Sequence, residues 1–258
     1  MPVDWMDVSS LSFNSLLLLE RVQLSWFPGW VPEAEFAAAL RANPAVEWYV
    51  RHKCPQLEPW LDEILSRPSE ERVAVRRSEE AVMRAINDLL VYVVDPSIYD
   101  RQPFLAWDSR ELTGLADFRG RIVVDVGSGT GRLAFAVAEE ARAVYAVEPV
   151  ANLRDVIASK ADAAGLRNVY PVDGLIMELP FHDGFADITM GGHVFGEVPT
   201  REIDEILRVT RCGGTAIACP GSNDVDDETH AAFVEKRFEW ARFEEPQDGT
   251  KRKYWRTR

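Results

Sequence analysis

The sequence predicts an α/β protein: a mostly parallel sheet with helices on both faces, closed by a C-terminal antiparallel hairpin and preceded by a helical region. Three observations predict it. From about Arg121 onward, short apolar runs alternate with helical spacing, the signature of strands joined by crossover helices. The run Ile122-Val123-Val124 breaks at Asp125 into glycines at 127, 129 and 131, and an Ala-rich stretch over residues 133–141 reads as the helix that follows. Before residue 100, apolar residues recur at helical spacing with no strand between the runs.

The N-terminal region, residues 1–104, reads as a helical cap or lid, and residues 105–258 as the α/β domain. Pro32 opens a helix carrying Phe36 and Leu40, which Asn43-Pro44 stops. Leu57, Trp60, Leu61, Ile64 and Leu65 follow i, i+3, i+4, i+7, i+8 spacing up to Arg67-Pro68. Val82, Ile86, Leu89, Leu90 and Val93 place a third helix before Asp95-Pro96. The cluster Glu47-Trp48-Tyr49-Val50-Arg51-His52-Lys53-Cys54 lies between these patterns. His52 and Cys54 alone make a poor metal site, and none is expected.

In the second part, residues 143–147 form a strand ending at Glu148, and Leu153, Val156, Ile157, Ala161 and Ala164 line the next helix, closed by Gly165. Residues 168–172 form a strand ending at Asp173; Pro171 within it calls for an edge position, since proline cannot complete a ladder. A fourth strand, residues 186–190, runs into Gly191-Gly192-His193. A helix near residues 202–208 leads through Gly213-Gly214 to a fifth strand, residues 215–219. Residues 238–243 and 253–256 are aromatic-rich runs joined by Glu244-Glu245-Pro246-Gln247-Asp248-Gly249, a turn signal that makes them a hairpin.

Composition narrows the function. With 29 basic and 42 acidic residues the net charge is −13, and the pI is about 4.8. Such a balance argues against broad nucleic-acid binding, which rests on basic surface. Cys54, Cys212 and Cys219 are too scattered for a disulfide framework or a zinc cluster and read as buried thiols. Asp4 and Asp7 replace a basic leader, and Leu16 to Leu19 is too short to span a bilayer. A soluble cytoplasmic protein with no membrane contact is expected.

A strand that breaks into glycines and opens a helix suits a small charged ligand. The backbone can approach closely there, and the helix start offers free amides. A dinucleotide fingerprint would need Gly-x-Gly-x-x-Gly; Gly127 and Gly129 fit, but its third place holds Arg132 and Gly131 comes one residue early. No Gly-Lys-Ser/Thr follows, which excludes a P-loop.

The pattern Asp125-x-Gly127-x-Gly129-x-Gly131, with Ser128 and Thr130 between the glycines, resembles the first motif of class I S-adenosylmethionine-dependent methyltransferases. Glu148 and Asp173 stand where the second and the acidic third motif should, and the resemblance covers residues 105–258. It implies a Rossmann-like seven-stranded sheet with a C-terminal antiparallel hairpin, S-adenosyl-L-methionine as cofactor and S-adenosyl-L-homocysteine as product. By the resemblance, Glu148, followed by Pro149, accepts both ribose hydroxyls. Asp173-Gly174 meets the adenine amino group, with Leu175 or Ile176 against the ring. Asp125 orients the methionine amino end, holds the glycine loop, or does both. Gly191 faces the cofactor with the glycines of the first motif.

The loop after the fourth strand faces the methyl in this fold. His193 is the candidate base or acceptor-positioning group, with Glu197 as second candidate; a structural hydrogen bond is the rival role for the histidine. The loop lacks the Asn-Pro-Pro-Tyr motif of amino-methylating DNA and protein-glutamine enzymes. Trp107 and Arg110 either line the cofactor site or pack. Lys251, Arg252 and Lys253 either contact an anionic group of the acceptor or pair with Glu244, Glu245 and neighbouring acids. The function expected is methyl transfer to a small-molecule acceptor. The alternatives are an RNA methyltransferase gripping phosphate with the basic run, or a non-catalytic S-adenosylmethionine-binding regulatory protein. A nicotinamide oxidoreductase is the other enzyme rival, and the misplaced third glycine counts against it.

Overall fold

The computed structural model describes residues 5–68, 74–102, 105–222, 224–246 and 249–258. The chain divides into two compact units, Met1–Asp100 and Arg101–Arg258.

All regular structure described in the first unit is helical. Two 3-10 turns, Val8–Ser10 and Phe13–Leu18, precede α1 (Arg21–Ser25), the kinked turn α2 (Phe27–Trp30), α3 (Glu33–Ala42), α4 (Pro44–Lys53), α5 (Glu58–Ser66), α6 (Val75–Ala85), α7 (Asn87–Val94) and α8 (Pro96–Asp100). Phe36 on the inner face of α3 anchors the core, edge-on to Phe27 at 5.4 Å and stacked on Trp60 at 5.7 Å. The polar cluster at residues 47–54 is the outer face of α4: Val46 and Val50 point inward, while Glu47 pairs with Arg51 at 3.0 Å and Lys53 with Glu20 at 2.7 Å. His52 stacks on Trp48 one turn earlier.

One expected helix is two. Ile86 leaves helical backbone angles (φ −116°, ψ 29°) between α6 and α7. The buried Asn87 amide that opens α7 accepts from the backbone of Trp5 and Met6 and donates to the carbonyl of Met6. Periodicity continues through such a break because both halves still need an apolar face.

The second unit is the predicted α/β fold. After α9 (Arg110–Thr113) come β1 (Ile122–Val126), α10 (Arg132–Ala138), β2 (Ala143–Val147), α11 (Ala151–Ala163), β3 (Val169–Val172) and β4 (Ala186–Gly192). They are followed by α12 (Pro199–Val209), β5 (Thr210–Cys219), α13 (Glu228–Glu235), β6 (Glu239–Glu245) and β7 (Gly249–Thr257). The seven strands lie in the order β3-β2-β1-β4-β5-β7-β6. The first five are parallel, and β7 is antiparallel to β5 and β6. β3, with Pro171, is an edge strand. Successive strand residues serve opposite faces: Val123 packs with Leu133, Val144 and Ile157 on one side, Val124 with Ile203, Ile206 and Phe233 on the other.

Some boundaries differ from the sequence reading. β4 continues through Gly191 and Gly192 because they pair with Ala218 and Cys219. β5 starts at Thr210; its register with β4 shifts between the pairs Ala186/Thr210 and Ile188/Thr215, and Gly213 (φ 73°) provides the turn of that bulge. The expected turn residues Gln247 and Asp248 lie outside the described residues. Cys54 and Cys219 are buried, but Cys212 is exposed, because it sits on the bulge rather than in the ladder. Among the described residues no helix is long and apolar enough to cross a membrane.

Ile203, fully buried on the inner face of α12, tests the second face of the sheet. Ile203→Ala is expected to lower the unfolding free energy by about 3 kcal/mol, read as a shift of the urea midpoint with unchanged slope.

Candidate active site

In an open parallel sheet the carboxyl ends of the strands, where the order reverses, form the ligand-binding edge. β1 and β4 straddle that reversal here. Beyond β1, Gly127 (φ 64°), Gly129 (φ 56°) and Gly131 (φ 90°) all adopt left-handed backbone. Two positions also forbid a side chain by contact. A Cβ on Gly127 would lie 2.4 Å from Cγ2 of Val194, and one on Gly131 would lie 2.6 Å from the ring of Phe135. The alternation of glycines is therefore a backbone requirement, with Ser128 and Thr130 buried between them.

Two buried carboxylates hold this loop. Asp125 is buried in β1, and its Oδ2 accepts the Ala134 amide of α10 at 3.0 Å. The Ser128 hydroxyl donates to the Asp125 carbonyl at 2.8 Å. Asp125 thus fastens the start of α10 to β1. Glu148, at the end of β2, accepts the Gly129 amide on Oε2 and the Val150 amide on Oε1, each at 2.9 Å. It ties the glycine loop to the chain entering α11. Burial pushes both carboxyls up to about 7: hydrogen bonds from Ser128 and Ala134 only partly offset it for Asp125, as those from Val150 and Gly129 do for Glu148.

The remaining expected residues spread along the same edge. Pro149 lies between Glu148 and the Val150 amide that Glu148 accepts. The side chain of Asp173 is exposed beyond β3, 3.1 Å from Arg154, which also donates to the Glu148 carbonyl at 2.6 Å. A Cβ on Gly174 would meet Pro180 and Val147 below 3.0 Å, and Leu175 is partly exposed next to it. Gly191 ends beside Val126, where a Cβ would lie 3.0 Å from the Val126 carbonyl. Glu197 is exposed. Its neighbour in sequence, Glu202, does more: fully buried, it accepts the amides of Gly196, Glu197 and Val198 at 2.8–3.0 Å. Glu202 was legible only as an acid in the first turn of a helix opened by Pro199.

His193 has φ 60°, left-handed backbone that costs a β-carbon residue about 1 kcal/mol or more. Its amide donates to the Cys219 carbonyl at 2.7 Å. Its ring lies parallel to Trp107 (5.8 Å, 7°) and close against the backbone of Gly221. Nε2 is 3.2 Å from Oε1 of Glu245, whose side chain is fully buried. Trp107 carries the Arg132 guanidinium 4.3 Å above its ring, and Arg132 donates to the Trp107 carbonyl. Arg110 points elsewhere, paired with Asp108 at 2.6 Å and exposed.

The basic C-terminal run is neutralised within the unit. Lys251 is buried 3.7 Å from Oε2 of Glu245, Arg252 lies against Asp224 and Asp226, and Lys253 binds Glu111 at 2.6 Å. Of these partners only Glu245 stood in the sequence neighbourhood that was read as the pairing alternative.

Strand order, left-handed glycine loop and strand-end carboxylate together define a class I S-adenosylmethionine-dependent methyltransferase domain. Residues 124–218 match the family described as "Methyltransferase domain". An uncharacterized methyltransferase of Mycobacterium sp. (strain JLS) is 39% identical over 100 residues, 38% of this chain and 38% of that protein. One from Mycobacteroides abscessus is 37% identical over 116 residues, 43% and 42% of the two chains. The matched stretch thus spans about two fifths of these relatives. Among solved structures, a S-adenosylmethionine-dependent methyltransferase from Aquifex aeolicus is 19% identical, with TM-score 0.48 over 62% of this chain and 97% of that one.

Gly127→Ala is expected to destabilise the protein by about 2 kcal/mol. Val194→Ala in the same chain should restore only part of that loss in urea melts, because the contact is relieved and the left-handed angle is not. Asp125 and Glu148 also give a pH signature. Their folded values near 7 exceed those of an unfolded chain near 4, so the folded protein binds more protons in between. Stability should therefore fall as pH rises from about 5 to 7 and level above 8. Asp125→Asn should flatten that slope in urea melts at pH 5.5, 6.5 and 7.5.

Proposed function

We propose that this protein transfers the methyl group of S-adenosylmethionine to a small-molecule acceptor. The observation that carries the cofactor part is Glu148: a buried carboxylate at the end of β2 whose two oxygens each hold a loop amide. Each oxygen keeps a second acceptor direction, which suits a pair of ribose hydroxyls. The left-handed glycines support it as well, since Gly127 and Gly131 let the loop turn against Val194 and Phe135 where a side chain cannot stand. Asp173, steadied by Arg154, is the acceptor for the adenine amino group, and Leu175 and Ile176 supply apolar surface for the ring.

Bound S-adenosylmethionine supplies an electrophilic methyl on a sulfonium. The residues of the chain supply orientation. Asp125 and the α10 start fix the loop, and the Val194–Gly127 contact sets the segment after β4 against it. His193 at the end of β4 is the candidate to receive a proton from the acceptor, and Glu202 holds the loop that continues from it.

The acceptor assignment rests on charge. The net charge is −13, and each cation of the run at residues 251–253 already faces a carboxylate, which leaves that run a poor grip for RNA phosphate.

Incubation with methyl-labelled S-adenosylmethionine and an extract of the source cells tests the reading. Label in the small-molecule fraction, lost with Glu148→Ala, is the expected result. Label released by nuclease would replace it with RNA methylation, and cofactor binding without any transfer would favour a regulatory binder. Glu148 must shed its proton to accept two hydroxyls. S-adenosylhomocysteine affinity, read by calorimetry, should therefore rise with pH through about 7. Glu148→Gln should weaken it at least tenfold and largely flatten that rise.

A further inference from the structure

One arginine joins the carboxyl ends of β2 and β3. Arg154 stands in the first turn of α11, and its side chain is 21% exposed. Its Nη1 donates twice, to the Glu148 carbonyl at 2.6 Å and to Oδ1 of Asp173 at 3.1 Å. A guanidinium carries three further N–H groups, on Nε and Nη2. Among the described residues these three have no hydrogen-bond partner.

The backbone around this arginine is held. The Glu148 amide donates to the Val172 carbonyl at 2.9 Å, which ties the two strand ends together. A Cβ on Gly174 would stand 2.8 Å from Pro180 and 2.9 Å from Val147, so the chain leaves β3 pressed against β2. The Asp173 side chain, 73% exposed, meets Arg154 just before that point. A pair this exposed adds little to stability. Its effect is to set donor groups beside an acceptor group at the edge where Glu148 stands. Such a pair matches one edge of adenine. The 6-amino group donates and the ring nitrogens N1 and N7 on either side of it accept, whereas a 6-oxo purine presents an acceptor in place of the amino group.

We propose that Arg154 reads the base of the cofactor together with Asp173: the carboxylate accepts from the adenine amino group, and an N–H of Nε or Nη2 donates to the ring nitrogen beside it. The inference rests on the methyltransferase reading above and adds a base-reading residue to its cofactor site. An arginine that only tied β2 to β3 would act on every nucleoside alike. Arg154 has such a general effect too. Burial pushes the Glu148 carboxyl up to about 7, and the Arg154 cation is one of the groups that oppose this. Its removal therefore weakens binding of any ribose ligand through Glu148, and ratios between ligands carry the test.

Calorimetry on the full-length protein with S-adenosylhomocysteine, its 1-deaza and 7-deaza analogues and S-inosylhomocysteine reads those ratios. In the wild type one of the two deaza analogues should bind about tenfold more weakly than S-adenosylhomocysteine, the loss of one charge-assisted hydrogen bond. S-inosylhomocysteine, which sets an oxygen against Asp173, should bind more weakly still. Arg154→Met should bring the disfavoured deaza analogue to within about twofold of S-adenosylhomocysteine. Weakening of all four ligands by one common factor, with every ratio unchanged, overturns the proposal. A wild type that binds both deaza analogues as well as S-adenosylhomocysteine overturns it too. If Arg154→Met does not fold, Arg154→Lys keeps the charge without the planar fork and should still cut the deaza ratio about threefold; an unchanged ratio in that variant overturns the proposal. Failure of the wild type to bind S-adenosylhomocysteine at all would instead remove the underlying reading, and this inference with it.

Discussion

Space for a backbone turn beneath β4 is the constraint on which the second unit depends. At residue 127 the chain must leave β1, reverse in left-handed geometry and pass within contact distance of Val194. Only glycine meets both conditions, since a Cβ there would overlap a valine methyl. Once the turn is made, Glu148 and Asp125 are committed as well. Their carboxyls accept amides that the turn and the helix start expose. The same groups that would meet a cofactor are therefore the groups that hold the loop.

A second constraint acts on the C-terminal hairpin. Three consecutive cations look like a binding surface in sequence, but the fold distributes them. β7 alternates its faces, so Lys251 and Lys253 turn one way and Arg252 the other. Each finds an acid from a different element: Glu245 of β6, Asp224 and Asp226 before α13, Glu111 of α9. The run is used to bind the hairpin to the rest of the unit, and the most buried of its pairs is turned toward His193.

What the sequence made legible follows from range. The alternation of strands and helices, the edge position of Pro171 and the glycine turn all depend on neighbours within a few residues or on a short period, and they appear as expected. The split of α6 from α7 escaped because its cause, Asn87 clasping the backbone of Trp5 and Met6, lies some eighty residues away in the chain. Glu202 was passed over in favour of Glu197 for a related reason. Both are near the loop, and only the direction of the side chain, set by α12, decides which carboxyl turns inward. Glu245 is legible as an acid of the turn and as a partner of the basic run, and it does pair with Lys251; its burial and its approach to His193 depend on the strands of the hairpin and are not legible.

That pattern separates two kinds of site residue. The glycines, Asp125 and Glu148 act through backbone geometry, which a local motif records completely. His193 and Glu245 come together although their numbers differ by 52, with β5 between them in the chain and β5 and β7 between their strands in the sheet. No spacing rule links them, because the register of β7 on β5 and of β6 on β7 brings them together. In this protein that hairpin places a buried carboxylate, balanced by a buried lysine, against the ring nitrogen of a strained histidine. Strain and the neighbourhood of a buried carboxylate are each costly, and they coincide at His193, just beyond β4.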